Sequence, residues 1–124
     1  MAFQFSVSPA QPDKILRMEL SGRLTLGPQL VEFGRKAGEQ ITAERPRGVL
    51  MQISGIEEMD SAGLGELVIL YTLAGQIGAR VCFVQPSPRI VHLLETTRLS
   101  GILPHFDAPE DGVSWILSEG MLRR

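Results

Sequence analysis

Between Val49 and Val84 the chain carries a strand-like run, a helix-length run and a second strand-like run, in that order. Val49-Leu50-Met51-Gln52-Ile53-Ser54 reads as the first strand. Leu64 to Ile77 has the length and the Leu and Ala content of a helix, and Ala79-Arg80-Val81-Cys82-Phe83-Val84 is the second strand. Two strands joined by a helix must lie parallel, linked by a right-handed crossover. The second strand is apolar on both faces, which places it centrally, covered on both sides. Cys82 then reads as a small core residue, since a buried thiol in apolar surroundings stays protonated and inert.

The flanking segments extend that unit. Phe3 to Val7 alternates apolar and polar, Pro9 to Asp13 is a turn, and Ile15 to Leu20 sets Leu16, Met18 and Leu20 opposite Arg17 and Glu19. These two strands predict an antiparallel hairpin. After Gly22 and Gly27, Pro28 suits a first helical position, and Leu30, Phe33, Ala37 and Ile41 form the inward stripe of a helix running to about Glu44. Glu32 with Lys36 and Arg35 with Glu39 pair on its wet side, and Pro46 and Gly48 close it.

Ser87 and Pro88 open a further helix with Ile90, Val91, Leu94 and Thr97 inward and Gly101 as terminator; His92 on it is exposed and has no assigned role. Ile102 to Phe106 is a last strand, at the sheet edge because of Pro104. Asp107 to Glu110 opens a final helix, with Glu110 completing a capping box and Val113, Ile116 and Leu117 facing the core; Arg123-Arg124 is a frayed tail. The order ββαβαβαβα predicts an α/β fold: one domain over residues 1–124, with a mixed, mainly parallel sheet of about five strands and about four helices.

Composition narrows the function. A formal charge of -2 with scattered Lys and Arg argues against nucleic acid, which needs a clustered basic face. One cysteine excludes an internal disulfide, and His92 and His105 have no zinc spacing with it. No nucleophile with a base, no carboxylate pair and no metal cluster is recognisable, so the expectation is a protein without catalytic residues, metal or cofactor. The N-terminus lacks the basic and apolar regions of a secretory signal, and the longest apolar stretch, Leu67 to Tyr71, is far below the ~20 residues that span a bilayer. The expected compartment is the cytoplasm, without direct membrane insertion.

The distinctive stretch is Met59-Asp60-Ser61-Ala62-Gly63-Leu64-Gly65, at the turn from strand to helix. Asp60 suits the N-cap, where its carboxylate accepts from first-turn N–H groups that lack intrahelical partners. Ser61 then occupies the first helical position, where those donors and the helix dipole favour a negative charge such as phosphate. A purely structural alternative is that Asp60 and Ser61 only cap the helix. Gly63 and Gly65 are not followed by the Lys-Ser or Lys-Thr of a P-loop; they read as allowing close approach at the helix start.

Ile56-x-x-Met59-Asp60-Ser61-x-Gly63-Leu64-Gly65 resembles the signature of the STAS family, the anti-sigma-factor antagonists and the cytoplasmic domains of sulphate transporters. The resemblance extends from about Ile15 to Trp115 and includes Leu20-Ser21-Gly22-Arg23-Leu24, Ala79-Arg80-Val81-Cys82-Phe83-Val84 and Leu99-Ser100-Gly101-Ile102-Leu103. It implies the STAS-like fold and, for Ser61, phosphorylation by a partner serine kinase that is also an anti-sigma factor, with a phosphatase to reverse it. Within the two loops the chain differs from the pattern at Ala62 and Thr25. Ala62 stands where a second hydroxyl is common. Thr25 stands where the antagonists carry an aspartate that contacts the kinase.

On the helix after Ser61, setting Leu64, Val68, Tyr71 and Gly75 toward the sheet leaves Ala62, Glu66, Ile69, Leu70, Leu73 and Ile77 outward. The predicted partner surface is therefore Arg23, Thr25, Asp60, Ser61, Glu66, Ile69, Leu70 and Leu73. The STAS family often carries charged or polar residues where Leu70 and Leu73 stand; an exposed apolar strip there fits a protein partner or a second copy of the chain, as a homodimer, and the alternative is that neighbouring helices cover it. Two function classes follow. One is a phospho-switched anti-sigma factor antagonist. The other is a constitutive assembly subunit of a lipid-transport ATPase or a stress-signalling scaffold.

Overall fold

The structure, a computed structural model, describes residues 2–10 and 13–118. Part of the Pro9 to Asp13 turn and the whole Arg123-Arg124 tail lie outside the described residues. Five strands and four helices follow the expected order: β1 (Gln4–Ser8), β2 (Ile15–Leu24), α1 (Pro28–Glu44), β3 (Gly48–Met59), α2 (Ser61–Gln76), β4 (Arg80–Val84), α3 (Pro88–Thr96), β5 (His105–Phe106) and α4 (Pro109–Leu117). They form one sheet in the sequential order β1-β2-β3-β4-β5. β1 pairs antiparallel with β2, and every other neighbour is parallel.

Strand alternation distributes the core over the two faces. Leu16, Met18, Leu20, Val49, Met51, Ile53, Val81 and Phe83 point to one face, where they meet Phe33, Ala37 and Ile41 of α1, Leu64, Leu67, Leu70 and Ala74 of α2, and Ile90 and Leu94 of α3. Ile15, Leu50, Cys82 and Val84 point to the other and are covered by Ile116 of α4. Cys82 is fully buried there, and desolvation pushes its thiol up to about 12, so it remains a neutral packing group. Among the described residues no helix is long and apolar enough to cross a membrane.

α1 keeps the stripe expected of it, with Leu30, Phe33, Ala37 and Ile41 buried. Its wet-side pairs also form, Arg35 with Glu39 at 2.9 Å and Lys36 with Glu32 at 3.4 Å.

Four local expectations are corrected. The most consequential is the rotation of α2: Leu70 is 1% exposed and is core, together with Leu67 and Ala74, whereas Gly75 is exposed. Because α2 is apolar on nearly every side, periodicity does not select a face, and packing against the sheet and α1 makes the choice.

The last strand is shorter than Ile102 to Phe106, because Ile102 and Leu103 both donate to the Leu99 carbonyl, at 3.0 and 2.9 Å, and turn the chain instead of extending it. Only His105 and Phe106 pair with β4.

α3 ends at Thr96, before Gly101. Arg98 takes the left-handed conformation (φ 63), Leu99 N–H bonds the Leu94 carbonyl at 2.8 Å and Arg98 N–H bonds that of Glu95 at 3.1 Å, a Schellman closure that leaves Thr97 exposed.

At α4 no capping box forms, since the N-cap is Ala108, which has no side-chain acceptor; Glu110 there can act only through the helix dipole. Leu117 is 41% exposed, outside the core.

The rotation of α2 has a direct test. Leu70→Ala should cost about 2–5 kcal/mol in urea unfolding, and Ile69→Ala, at a position 58% exposed, should stay within about 0.5 kcal/mol. The reverse ranking would return Leu70 to the surface.

Candidate functional site

β3 runs five residues past Ser54, to Met59, so that Asp60 is the first residue beyond a central parallel strand. Asp60 has extended φ and ψ (-104, -175), as an N-cap requires, and its Oδ1 accepts from Gly63 N–H at 2.8 Å. Its Oδ2 accepts from Leu26 N–H at 2.9 Å, in the loop between β2 and α1. One carboxylate thereby closes the first turn of α2 and ties down a loop 34 positions away in sequence. The Leu26 bond first, then the Gly63 bond, holds the Asp60 carboxyl below its ordinary value of 3.8, because both stabilise the ionised form.

Gly63 is needed by contact. A Cβ at residue 63 would stand 2.0 Å from the Leu24 carbonyl oxygen, and that carbonyl also receives the Asp60 N–H at 3.4 Å. Backbone meets backbone here, and neither side can give way. At Gly65 a Cβ would meet nothing within 4 Å, so the close-approach expectation holds for the first glycine only.

Ser61 is exposed at the first position of α2, and among the described residues its hydroxyl has no hydrogen-bond partner. Thr25 is half-buried, between Leu24 at the end of β2 and Leu26 in the loop, both of which bond to Asp60. Arg23 is exposed and paired with Glu58 at 3.6 Å; it shares with Thr25, Leu26 and Gln29 an open cleft of about 590 Å³.

Beyond Ser61 the site continues as a groove between α1 and α2. Glu66 rests on Gly34 of α1, and Leu73 touches the position a Cβ on Gly38 would take, at 3.5 Å. Both contacts advance along both helices, so the two run side by side in the same sense. Ile69 is exposed on this ridge and Leu73 is half-buried, whereas Leu70, expected among the partner residues, lies underneath. The expected set thus divides: Thr25, Asp60 and Ser61 converge, Glu66, Ile69 and Leu73 line the groove, Arg23 borders the cleft, and Leu70 leaves the surface.

Leu26 and Val31, 78% and 68% exposed, and Gly34 and Gly38 also belong to this region, although no sequence motif marks them. Two glycines four apart inside a helix are unfavourable for helix formation, and that cost was the available signal of a close helix contact.

Two predictions follow from this geometry. Gly63→Ala should destabilise by about 1–3 kcal/mol or prevent folding, while Gly65→Ala should be neutral or stabilise by up to about 1 kcal/mol. Thermal melts of the two variants would refute the contact if they ranked the other way. Because its folded pKa is lowered, Asp60 contributes stability that is present above pH 3.8 and is lost as pH falls through the folded value. Asp60→Ala should therefore cost about 0.5–2 kcal/mol at neutral pH and make the acid-side loss shallower. An unchanged acid limb in urea titrations from pH 5 downward would show that the two bonds do not form.

The STAS domain family model matches residues 10–112. No curated protein matches the sequence. Among solved structures, an anti-sigma factor antagonist from Mycobacterium paratuberculosis superposes with a TM-score of 0.78 at 18% identity, over 94% of this chain and 95% of that one. RsbS of Moorella thermoacetica gives 0.78 at 16% identity, over 96% and 99%. The phosphorylated form of SpoIIAA, a Bacillus cell fate determinant, gives 0.67 at 16%, over 93% and 99%. At these identities the structural likeness concerns the fold. The match to the family model covers most of the sequence and includes the Asp60-Ser61 turn, and the chain belongs to the STAS domain family.

Proposed function

We propose that this chain is an anti-sigma factor antagonist: a protein-binding module that docks on a serine kinase serving as anti-sigma factor and is released when that kinase phosphorylates Ser61. The observation that carries the reading is the division of labour between adjacent residues. Asp60 places both carboxylate oxygens on backbone donors, while Ser61 presents to solvent, at a helix N-terminus, a hydroxyl that none of the described residues engages.

A modification at Ser61 therefore need not break the cap, and a phosphate there sits at the favourable end of the α2 dipole. Three exposed apolar side chains, Leu26, Val31 and Ile69, give the same region a surface suited to protein contact. The fold neighbour SpoIIAA has been solved in both unphosphorylated and phosphorylated forms, which supports a modification that the fold tolerates. In this reading the protein works in the cytoplasm, with its kinase and a phosphatase as partners, and needs no cofactor.

The second reading, a constitutive assembly subunit, has Thr25 in its favour. The position places a neutral hydroxyl, half-buried, beside Asp60, where the antagonist pattern has a kinase-contacting carboxylate.

The experiment is titration calorimetry of wild type, Ser61→Ala and Ser61→Asp against the anti-sigma kinases of the same organism. Ser61→Asp should fold with a stability within about 1 kcal/mol of wild type, because the helix dipole accepts the charge. It should lose binding, because a phosphate-like charge is desolvated against a surface shaped for a neutral hydroxyl. Ser61→Ala should bind and resist switching. Equal affinities for all three would remove the switch and leave the assembly reading.

A further inference from the structure

The α1–α2 groove contains a carboxylate that its surroundings leave unmatched. Glu66 lies so close to α1 that a Cβ on Gly34 would come 2.2 Å from its Oε2. It is half-buried, and among the described residues neither a hydrogen bond nor an ion pair reaches it. The α1 cations that follow Gly34 are already engaged. Arg35 bonds Glu32 at 2.7 Å and Glu39 at 2.9 Å, and Lys36 pairs with Glu32 at 3.4 Å.

The positions one turn from this contact on either helix are apolar. Val31 stands one turn before Gly34, Ile69 one turn after Glu66, and both are mostly exposed. Ala62, one turn before Glu66, leads the groove to Ser61.

We propose that Glu66 selects the partner of this surface by receiving a basic side chain, Arg or Lys, from the protein that docks over Ser61, while aliphatic groups of that partner cover Val31 and Ile69. The proposal rests on the docking reading given above and adds the chemistry the partner must carry. Covering an apolar groove removes water from the carboxylate within it, and a desolvated carboxylate is costly unless a cation meets it. Once water is excluded, the same pair interacts more strongly than it would on an open surface. The negative charge also turns away phosphate-bearing partners, nucleic acid and anionic lipid alike. Because no cation among the described residues pairs with Glu66, the partner's base displaces no ion pair described there when it arrives.

Gly34 supplies an independent handle. Gly34→Ala would push the carboxylate off its seat without removing the charge, and the fold should tolerate it, because what must move is the end of a flexible side chain.

The test measures binding of the host's purified anti-sigma kinases to wild type, Ser61→Asp, Glu66→Gln and Gly34→Ala chains at low and high salt, with melting curves for each. Glu66→Gln should melt with wild type, lose about tenfold or more in affinity, and show a flatter salt dependence. Gly34→Ala should melt no lower than wild type and lose less affinity than Glu66→Gln. If Glu66→Gln binds like wild type while Ser61→Asp still abolishes binding, the role of Glu66 is refuted and the docking reading stands. If no kinase binds the wild-type chain, the docking reading fails and the role of Glu66 fails with it.

Discussion

The last carbonyl of β2 lies against the first turn of α2, and the arrangement of the site depends on that contact. Leu24 O accepts from the Asp60 N–H, and the Cα of Gly63 comes so close that no side chain fits between. Asp60 then bonds in two directions, forward into its own helix and sideways to Leu26. A strand end, a loop and a helix start are held together by one missing Cβ and one carboxylate. Ser61 gains a defined position from neighbours that do not use its hydroxyl.

The sequential strand order gives this locked turn its setting. The three crossovers keep α1, α2 and α3 on one face, so α1 and α2 become neighbours running in the same sense, and the groove between them starts at Ser61. Gly34 and Gly38 allow the side chains of Glu66 and Leu73 to settle on α1. What remains outward is a run of aliphatic groups with one carboxylate among them. Val31 and Ile69, the outermost of these side chains, bury little within the chain.

In the proposed switch the two sides of Ser61 differ in scale. Inside the molecule a negative charge at the first helical position changes stability by about 0.3–1 kcal/mol, with the favourable sign. Against a docked partner the same charge faces desolvation, and imperfect pairing there costs several times more. A modification can thus alter binding while leaving the fold almost untouched. A site that pairs a self-sufficient cap with an exposed hydroxyl suits that requirement.

The sequence by itself determined the order of elements, the inward stripe of α1, the central place of β4, and Asp60 as the cap that puts Ser61 at a helix start. Each of these is written in local terms: a period, a proline, a capping side chain, a run of apolar residues. It did not determine which way α2 faces, since Leu64, Leu67, Val68, Ile69, Leu70, Tyr71 and Leu73 make almost every side of that helix apolar. Nor did it indicate that Asp60 reaches Leu26, that Arg98 rather than Gly101 ends α3, or that Glu66 seats on Gly34. Those outcomes depend on groups brought together from distant parts of the chain or on which conformer wins at a helix end. Only the packed tertiary structure decides them, because the local pattern is equally consistent with more than one answer.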